Sequence, residues 1–221
     1  MCFVFISIQL FKIMSAKIPQ KIAENVSLWS SDPIIYVVDD FISSDECEAF
    51  ITATKHQLQR ATVIGLDQEQ ELEGRTNSFA WLAHDANDLI HEASKRLSIL
   101  THVPIRNAEM FQVVHYKGGE EYKPHFDSFD SSTELGKKHW EPGGQRMITA
   151  LIYLNDVADG GATYFPELDI SIEPKKGNVL VFHNTIPETT SIHPRSLHAG
   201  MPVSSGEKWA ANLWFRENFL Y

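Results

Sequence analysis

The stretch Tyr122-Lys123-Pro124-His125-Phe126-Asp127 sets an imidazole and a carboxylate two residues apart. On an extended strand alternate side chains share a face, so His125 and Asp127 point the same way, about 6–7 Å apart along the backbone at about 3.3 Å per residue. A second, distant histidine would complete a 2-His-1-carboxylate face, which suits iron(II) and leaves coordination positions open. Ten histidines compete for that position, and the candidate is His198. Further on, Lys208 precedes the apolar run Trp209-Ala210-Ala211-Asn212-Leu213-Trp214-Phe215. An ammonium buried there needs an anionic partner, and a dicarboxylate cosubstrate would supply one.

His-x-Asp alone is common by chance, but its surroundings are more specific. The stretches Tyr116–Asp127, Arg146–Asp156, Gly160–Pro166 and Pro174–Asn178 run in the order of the strand and turn motifs of the prolyl 4-hydroxylase family of iron(II)- and 2-oxoglutarate-dependent dioxygenases. The chain resembles that family from about Pro33 to Glu217. The resemblance implies that His125, Asp127 and His198 bind Fe(II) and that Lys208 holds the far carboxylate of 2-oxoglutarate. It implies further cosubstrate contacts at Tyr116, Thr163 and Trp214, and substrate-side positions at Arg75, Trp81 and Arg146. The reaction implied is C4 hydroxylation of prolyl residues in a peptide or protein, with O2 consumed, succinate and CO2 released, and ascorbate restoring oxidised iron. Arg216 stands where some members carry histidine, which bears on how the substrate groove is lined.

Each of these residues also has a plain reading. Tyr116 would be a half-buried strand residue, Thr163 a turn hydroxyl, Trp81 and Trp214 packing aromatics, Lys208 a solvated ammonium and Arg146 a surface cation. Two other functions stay open: a dioxygenase of the same fold acting on another residue or a small molecule, and a jelly-roll module that binds metal without turnover. Lys208 at the cosubstrate spacing argues against the second. Hydrolase readings lack their motifs, since neither His-Glu-x-x-His nor Gly-x-Ser-x-Gly occurs.

The elements that must position these residues fall into two halves. Pro33–Asp39 reads as a first strand. Ser43 with Glu46 three residues later begins a helix whose inner face carries Cys47, Phe50, Ile51, Thr54 and Leu58. The segment Arg75–Leu82 reads as a strand, and Ala86–Leu100 as a helix with Leu89, Ile90, Ala93, Leu97 and Leu100 on one side. After Pro104 come strands at 110–116, 122–127, 147–154, 162–165, 170–173, 178–183 and 209–215, divided by Gly, Pro and Asp turns. Closely spaced strands without intervening helices predict a jelly roll. The expected fold is therefore α+β, a double-stranded β-helix (cupin-like) core with N-terminal supporting helices. The segments 65–74 and 128–144 are polar and aperiodic, and are expected as mobile loops bordering the site.

At 221 residues and 43% hydrophobic content, one substantial core is expected. The expected division is an N-terminal extension over 1–30, with poor order, and one dioxygenase domain over 31–221. A formal charge of −10 argues against nucleic-acid and anionic-membrane partners. Cys2 and Cys47 are the two cysteines, too few for a disulfide framework or a thiolate zinc site. That usage fits a reducing cytoplasm. The apolar run Phe3–Phe11 lacks a preceding basic residue and is too short to span a membrane, although it leaves export as the alternative, with Met14 as a second candidate start.

Overall fold

The computed structural model describes residues 19–60, 63–64, 69–70 and 74–221. The apolar run at 3–11, Met14 and most of the loop expected at 65–74 lie outside the described residues. In chain order the strands are β1 (Gln20–Ala23), β2 (Val26–Ser31), β3 (Ile34–Val38), β4 (Gln59–Arg60), β5 (Val63–Ile64), β6 (Glu69–Gln70), β7 (Ser78–Leu82), β8 (Phe111–Tyr116) and β9 (Tyr122–His125). Then follow β10 (Arg146–Tyr153), β11 (Asp159–Gly160), β12 (Thr163–Phe165), β13 (Ile170–Ile172), β14 (Val179–His183), β15 (His198–Gly200), β16 (Val203–Ser205) and β17 (Lys208–Arg216). Among the described residues three α-helices accompany them: α1 (Ser44–Thr54), α2 (Asp88–Thr101) and α3 (Glu134–Trp140).

Nine strands form a large antiparallel sheet in the order β1-β2-β3-β14-β10-β17-β8-β7-β4, and four form a smaller one in the order β13-β12-β15-β9. The inner strands of the larger sheet are largely apolar on both faces because both faces are covered, and alternation sends successive residues to different cores. On β8, Phe111 and Val113 face the helices while Val114 and Tyr116 face the smaller sheet. On β17, Trp209, Ala211, Leu213 and Phe215 pack with the helices, while Lys208, Ala210, Asn212 and Trp214 face a cavity between the sheets. One face of the larger sheet thus supports the site from behind while its other face builds it.

The helices brace the outer face as expected. Ser43 and Glu46 form a reciprocal capping box at the start of α1, each side chain bonding the other's backbone N–H. Phe50 meets Phe111 edge to face with ring centroids 4.9 Å apart, and Ile90, Ala93 and Leu97 of α2 are fully buried in the same cluster. Leu89, expected on that inner face, is exposed instead, since the buried stripe of α2 runs through Ile90, Ser94, Leu97 and Thr101. Cys47 is a core residue with no exposure, and burial pushes its thiol up to about 11, which leaves it unreactive.

Three other differences from expectation concern boundaries. The sheet starts before residue 31, because β1 and β2 extend it beyond β3. The strand expected over 122–127 stops at His125, where the chain turns toward β10. The segment 128–144 contains α3, capped by the Thr133 hydroxyl accepting from Gly136 N–H at 3.0 Å. No helix among the described residues is long and apolar enough to cross a membrane.

Candidate active site

β9 and β15 pair antiparallel, with His198 directly opposite His125. Asp127 lies past the end of β9 and is drawn in by β10, where the Thr149 hydroxyl donates to its Oδ2 at 2.7 Å. Nε2 of His125 is 3.7 Å from Asp127 Oδ1, and Nε2 of His198 is 3.7 Å from Asp127 Oδ2. One ligand atom from each of the three residues falls within 4.8 Å of the others. Both rings use Nδ1 on a backbone carbonyl, His125 on Lys123 O at 2.8 Å and His198 on Ser196 O at 3.0 Å. A carbonyl only accepts, so Nδ1 carries the proton and each Nε2 offers a lone pair toward the carboxylate.

The electrostatics favour the same state. His125 is pushed well below the usual imidazole range, first by burial and then by the neighbouring His198, so it is a neutral imidazole near neutral pH. Burial works against ionisation of Asp127, but His198, His125, Arg146 and the Thr149 hydroxyl outweigh it and keep the carboxylate charged. Two imidazole nitrogens and one carboxylate oxygen form a donor set that accepts iron(II).

A cavity of about 640 Å³ opens from these three residues. At its inner end Lys208 sits opposite Tyr116 on paired strands, 3% exposed. Its Nζ donates to Gly161 O at 2.6 Å and lies over the Tyr116 and Tyr153 rings at 5.4 and 5.5 Å. Among the described residues no carboxylate lies within ion-pair distance of it. Burial therefore pulls Lys208 down to about 8. The Thr163 hydroxyl is nearby in the same cavity, bonded to Tyr153 Oη at 2.8 Å. Trp214 also lines the cavity, and its buried indole Nε1 has no partner. An unneutralised ammonium and an orphaned N–H are donors awaiting acceptors, and a dicarboxylate fits that demand.

The outer part of the cavity is aromatic and basic. Arg75 bonds Asn77 and Gln112, both at 2.9 Å, and lies over the Tyr122 ring at 4.6 Å. Arg146 makes a two-pronged ion pair with Glu109 at 2.6 and 2.7 Å and lies over Trp214 at 3.8 Å. Burial opposes ionisation of Glu109, but Arg146 and Arg216 outweigh it and hold its carboxyl below the usual range. Trp81 is 43% exposed, so it is not a core aromatic but a free ring at the cavity rim, 6.2 Å from Trp214. All ten residues singled out from the sequence, His125, Asp127, His198, Tyr116, Thr163, Lys208, Trp214, Arg75, Trp81 and Arg146, line this one cavity.

Several participants were not singled out. Tyr122 stacks on His125 with centroids 3.5 Å apart and planes 16° from parallel; its place in the motif was the available signal. Thr149, Asn184 and Glu109 carried none, because their partners lie far away in sequence. Asn184 donates to Thr149 Oγ1 at 2.8 Å, aiming that hydroxyl at Asp127. His115, by contrast, faces away, stacked on Trp209 and bonded to Glu207.

Comparison with known proteins agrees with this geometry. Residues 111–216 match the 2OG-Fe(II) oxygenase superfamily model. Prolyl 4-hydroxylase 5 of Arabidopsis thaliana is 35% identical over 211 residues, covering 86% of this chain and 70% of that protein. A putative prolyl 4-hydroxylase of Acanthamoeba polyphaga mimivirus is 38% identical over 183 residues, covering 82% and 74%. Among solved structures, the viral collagen prolyl hydroxylase of Paramecium Bursaria Chlorella virus-1, in complex with 2OG, superposes with a TM-score of 0.65 at 31% identity, covering 82% of this chain and 95% of that one.

Proposed function

The chain belongs to the prolyl 4-hydroxylase family of 2OG-Fe(II) oxygenases, and from that premise we propose that its cavity hydroxylates C4 of prolyl residues in a peptide or protein. It is an iron(II)- and 2-oxoglutarate-dependent dioxygenase. When bound, the iron and 2-oxoglutarate supply the oxidising chemistry, with one oxygen atom of O2 entering the substrate hydroxyl and the other the succinate formed as CO2 leaves.

His125, Asp127 and His198 would hold the metal on one face, through one Asp127 carboxylate oxygen and the Nε2 atoms that the two histidines leave free by bonding backbone carbonyls through Nδ1. Lys208 takes the far carboxylate of 2-oxoglutarate, and Thr163 and Tyr116 close around the same carboxylate. The Trp214 N–H offers a donor at the boundary between cosubstrate and substrate. Arg75, Trp81 and Arg146 hold the peptide in the aromatic and basic outer cavity. That lining suits a proline-rich segment, because extended proline-rich chains dock in aromatic grooves at low entropic cost.

The observation that carries the reading is Lys208: a buried ammonium with no carboxylate within ion-pair distance among the described residues, in the same cavity as the three metal-type ligands. A metal-binding module without turnover has no use for it. The test is mass spectrometry of proline-rich peptides incubated with the protein, iron(II), 2-oxoglutarate and ascorbate. A gain of one oxygen atom per modified proline, matched by succinate, is expected. Succinate release with unmodified peptide would refute the prolyl assignment, and no succinate with any peptide would refute the enzyme reading.

A further inference from the structure

Arg216, the last residue of β17, has a side chain with every nitrogen engaged. Nη1 donates to Glu109 Oε1 at 3.0 Å. Nε and Nη2 both donate to Gly144 O, and Nη2 also reaches His139 O at 2.6 Å and Trp140 O at 3.3 Å. Its guanidinium covers the Phe129 ring at 4.7 Å, and the residue is 5% exposed. The three carbonyls belong to the end of α3 and the turn after it. The His139 carbonyl is one that a helix terminus leaves unsatisfied, while Trp140 O also accepts from Gly144 N–H at 2.7 Å.

The other side of α3 faces the cavity, where Leu135, Gly136 and His139 form part of its wall. A helix of seven residues is too short to persist alone in water, so its position has to come from tertiary contacts. Arg216 supplies them at one end, and the turn is docked closely against the chain after β17. A Cβ on Gly144 would come within 2.4 Å of Glu217 Oε2, and one on Gly143 within 2.6 Å of Leu220. Arg146 keeps its own two-pronged grip on Glu109 and does not need Arg216 to hold it.

We propose that Arg216 is a positioning residue that fastens α3 in place before any peptide arrives, so that the 134–144 segment is a preformed wall of the substrate groove and not a loop that closes over it. Arg216 itself is fully occupied and does not touch the peptide. It acts by sparing the peptide the cost of ordering the wall, so its contribution appears in peptide affinity and not in cosubstrate affinity. This rests on the cavity being the peptide site, but the fastening itself is read on the protein alone.

Two measurements test it. Amide hydrogen exchange on the peptide-free protein should find the N–H groups of Lys137, Glu141 and Gly144, bonded to Thr133 O, Lys137 O and Trp140 O, protected, with no gain on adding poly-L-proline. Arg216→Gln should release those amides while β10 and β17 stay protected. Steady-state kinetics should show the peptide KM raised roughly tenfold or more, the scale of lost charge-assisted bonds, with the 2-oxoglutarate KM little changed. Arg216→Lys should restore only part of the loss, since a compact ammonium cannot replace the planar fork. Unprotected amides in the peptide-free wild type, protection that appears only with peptide, or parallel rises in both KM values would overturn the proposal. If Arg216→Gln fails to fold, the wild-type exchange with and without peptide decides it. If no peptide is hydroxylated at all, protected α3 amides released by Arg216→Gln still support the fastening, and only the functional reading falls.

Discussion

Replacing Lys208 by methionine should make the cosubstrate-free protein more stable and the enzyme worse. The side chain is 3% exposed, its ammonium has one neutral acceptor, Gly161 O, and burial lowers it from the ordinary 10.5 to about 8. At about 1.4 kcal/mol per pKa unit, keeping that charge buried costs roughly 3 kcal/mol at neutral pH. Methionine keeps most of the volume and opens no large cavity, so Lys208→Met recovers part of this, a rise of several degrees in Tm for a chain of this size. The sign follows from proton counting. Below about pH 8 the lysine is charged both folded and unfolded, and the penalty is complete. Between about 8 and 10.5 the unfolded chain holds a proton that the native state has lost, so wild-type stability rises with pH and the variant's advantage fades. With 2-oxoglutarate the order reverses. A buried carboxylate deprived of its partner costs roughly 2–5 kcal/mol, tens- to thousands-fold in cosubstrate requirement. The assays are thermal melts from pH 7 to 10.5 without cosubstrate, and succinate formation against 2-oxoglutarate concentration. A variant less stable than wild type at pH 7, or an unchanged 2-oxoglutarate curve, would refute the role given to this lysine.

Thr149→Val removes the hydroxyl that orients Asp127 and leaves the Asn184 amide unpaired; metal affinity should fall about 10- to 100-fold in a metal titration, with the fold intact by circular dichroism. Asp127→Asn should lower metal affinity further, because it removes the one negative ligand, and equal affinity in both proteins would place the metal elsewhere. Trp81→Ala should raise the peptide KM and leave the 2-oxoglutarate KM and Tm nearly unchanged, since the ring is 43% exposed; a large fall in Tm would mean that it packs as core. Phe50→Ala, by contrast, should cost about 3–5 kcal/mol in denaturant unfolding, because a fully buried ring against Phe111 leaves a cavity.

Much of this protein was legible before any coordinates, and for local reasons. The Ser43–Glu46 capping box and the Ile90–Leu97 stripe are short-range patterns, so α1 and α2 could be read from spacing. The inner strands of the larger sheet, β3, β14, β10, β17 and β8, stood out as β-branched, aromatic runs because both faces are buried, whereas β1, β2 and β4 at its edges carry no such signal. His-x-Asp announced a ligand pair by its spacing, although Asp127 lies past the end of β9 and is placed by Thr149 and not by strand alternation, and the family resemblance drew His198 and Lys208 to it. Other features were decided only when distant segments met. Glu109 became part of the site through Arg146 and Arg216, and Thr149 through Asp127 and Asn184, pairings that leave no periodic trace in the chain. The helix α3 was missed because seven residues carry too little periodicity to stand out from a polar loop; what holds them is a guanidinium 77 residues away from the carbonyl of His139. Burial made the largest difference. Lys208 reads the same on paper as any surface lysine, and only the closing of the smaller sheet over β17 turns it into an isolated cation waiting for a carboxylate.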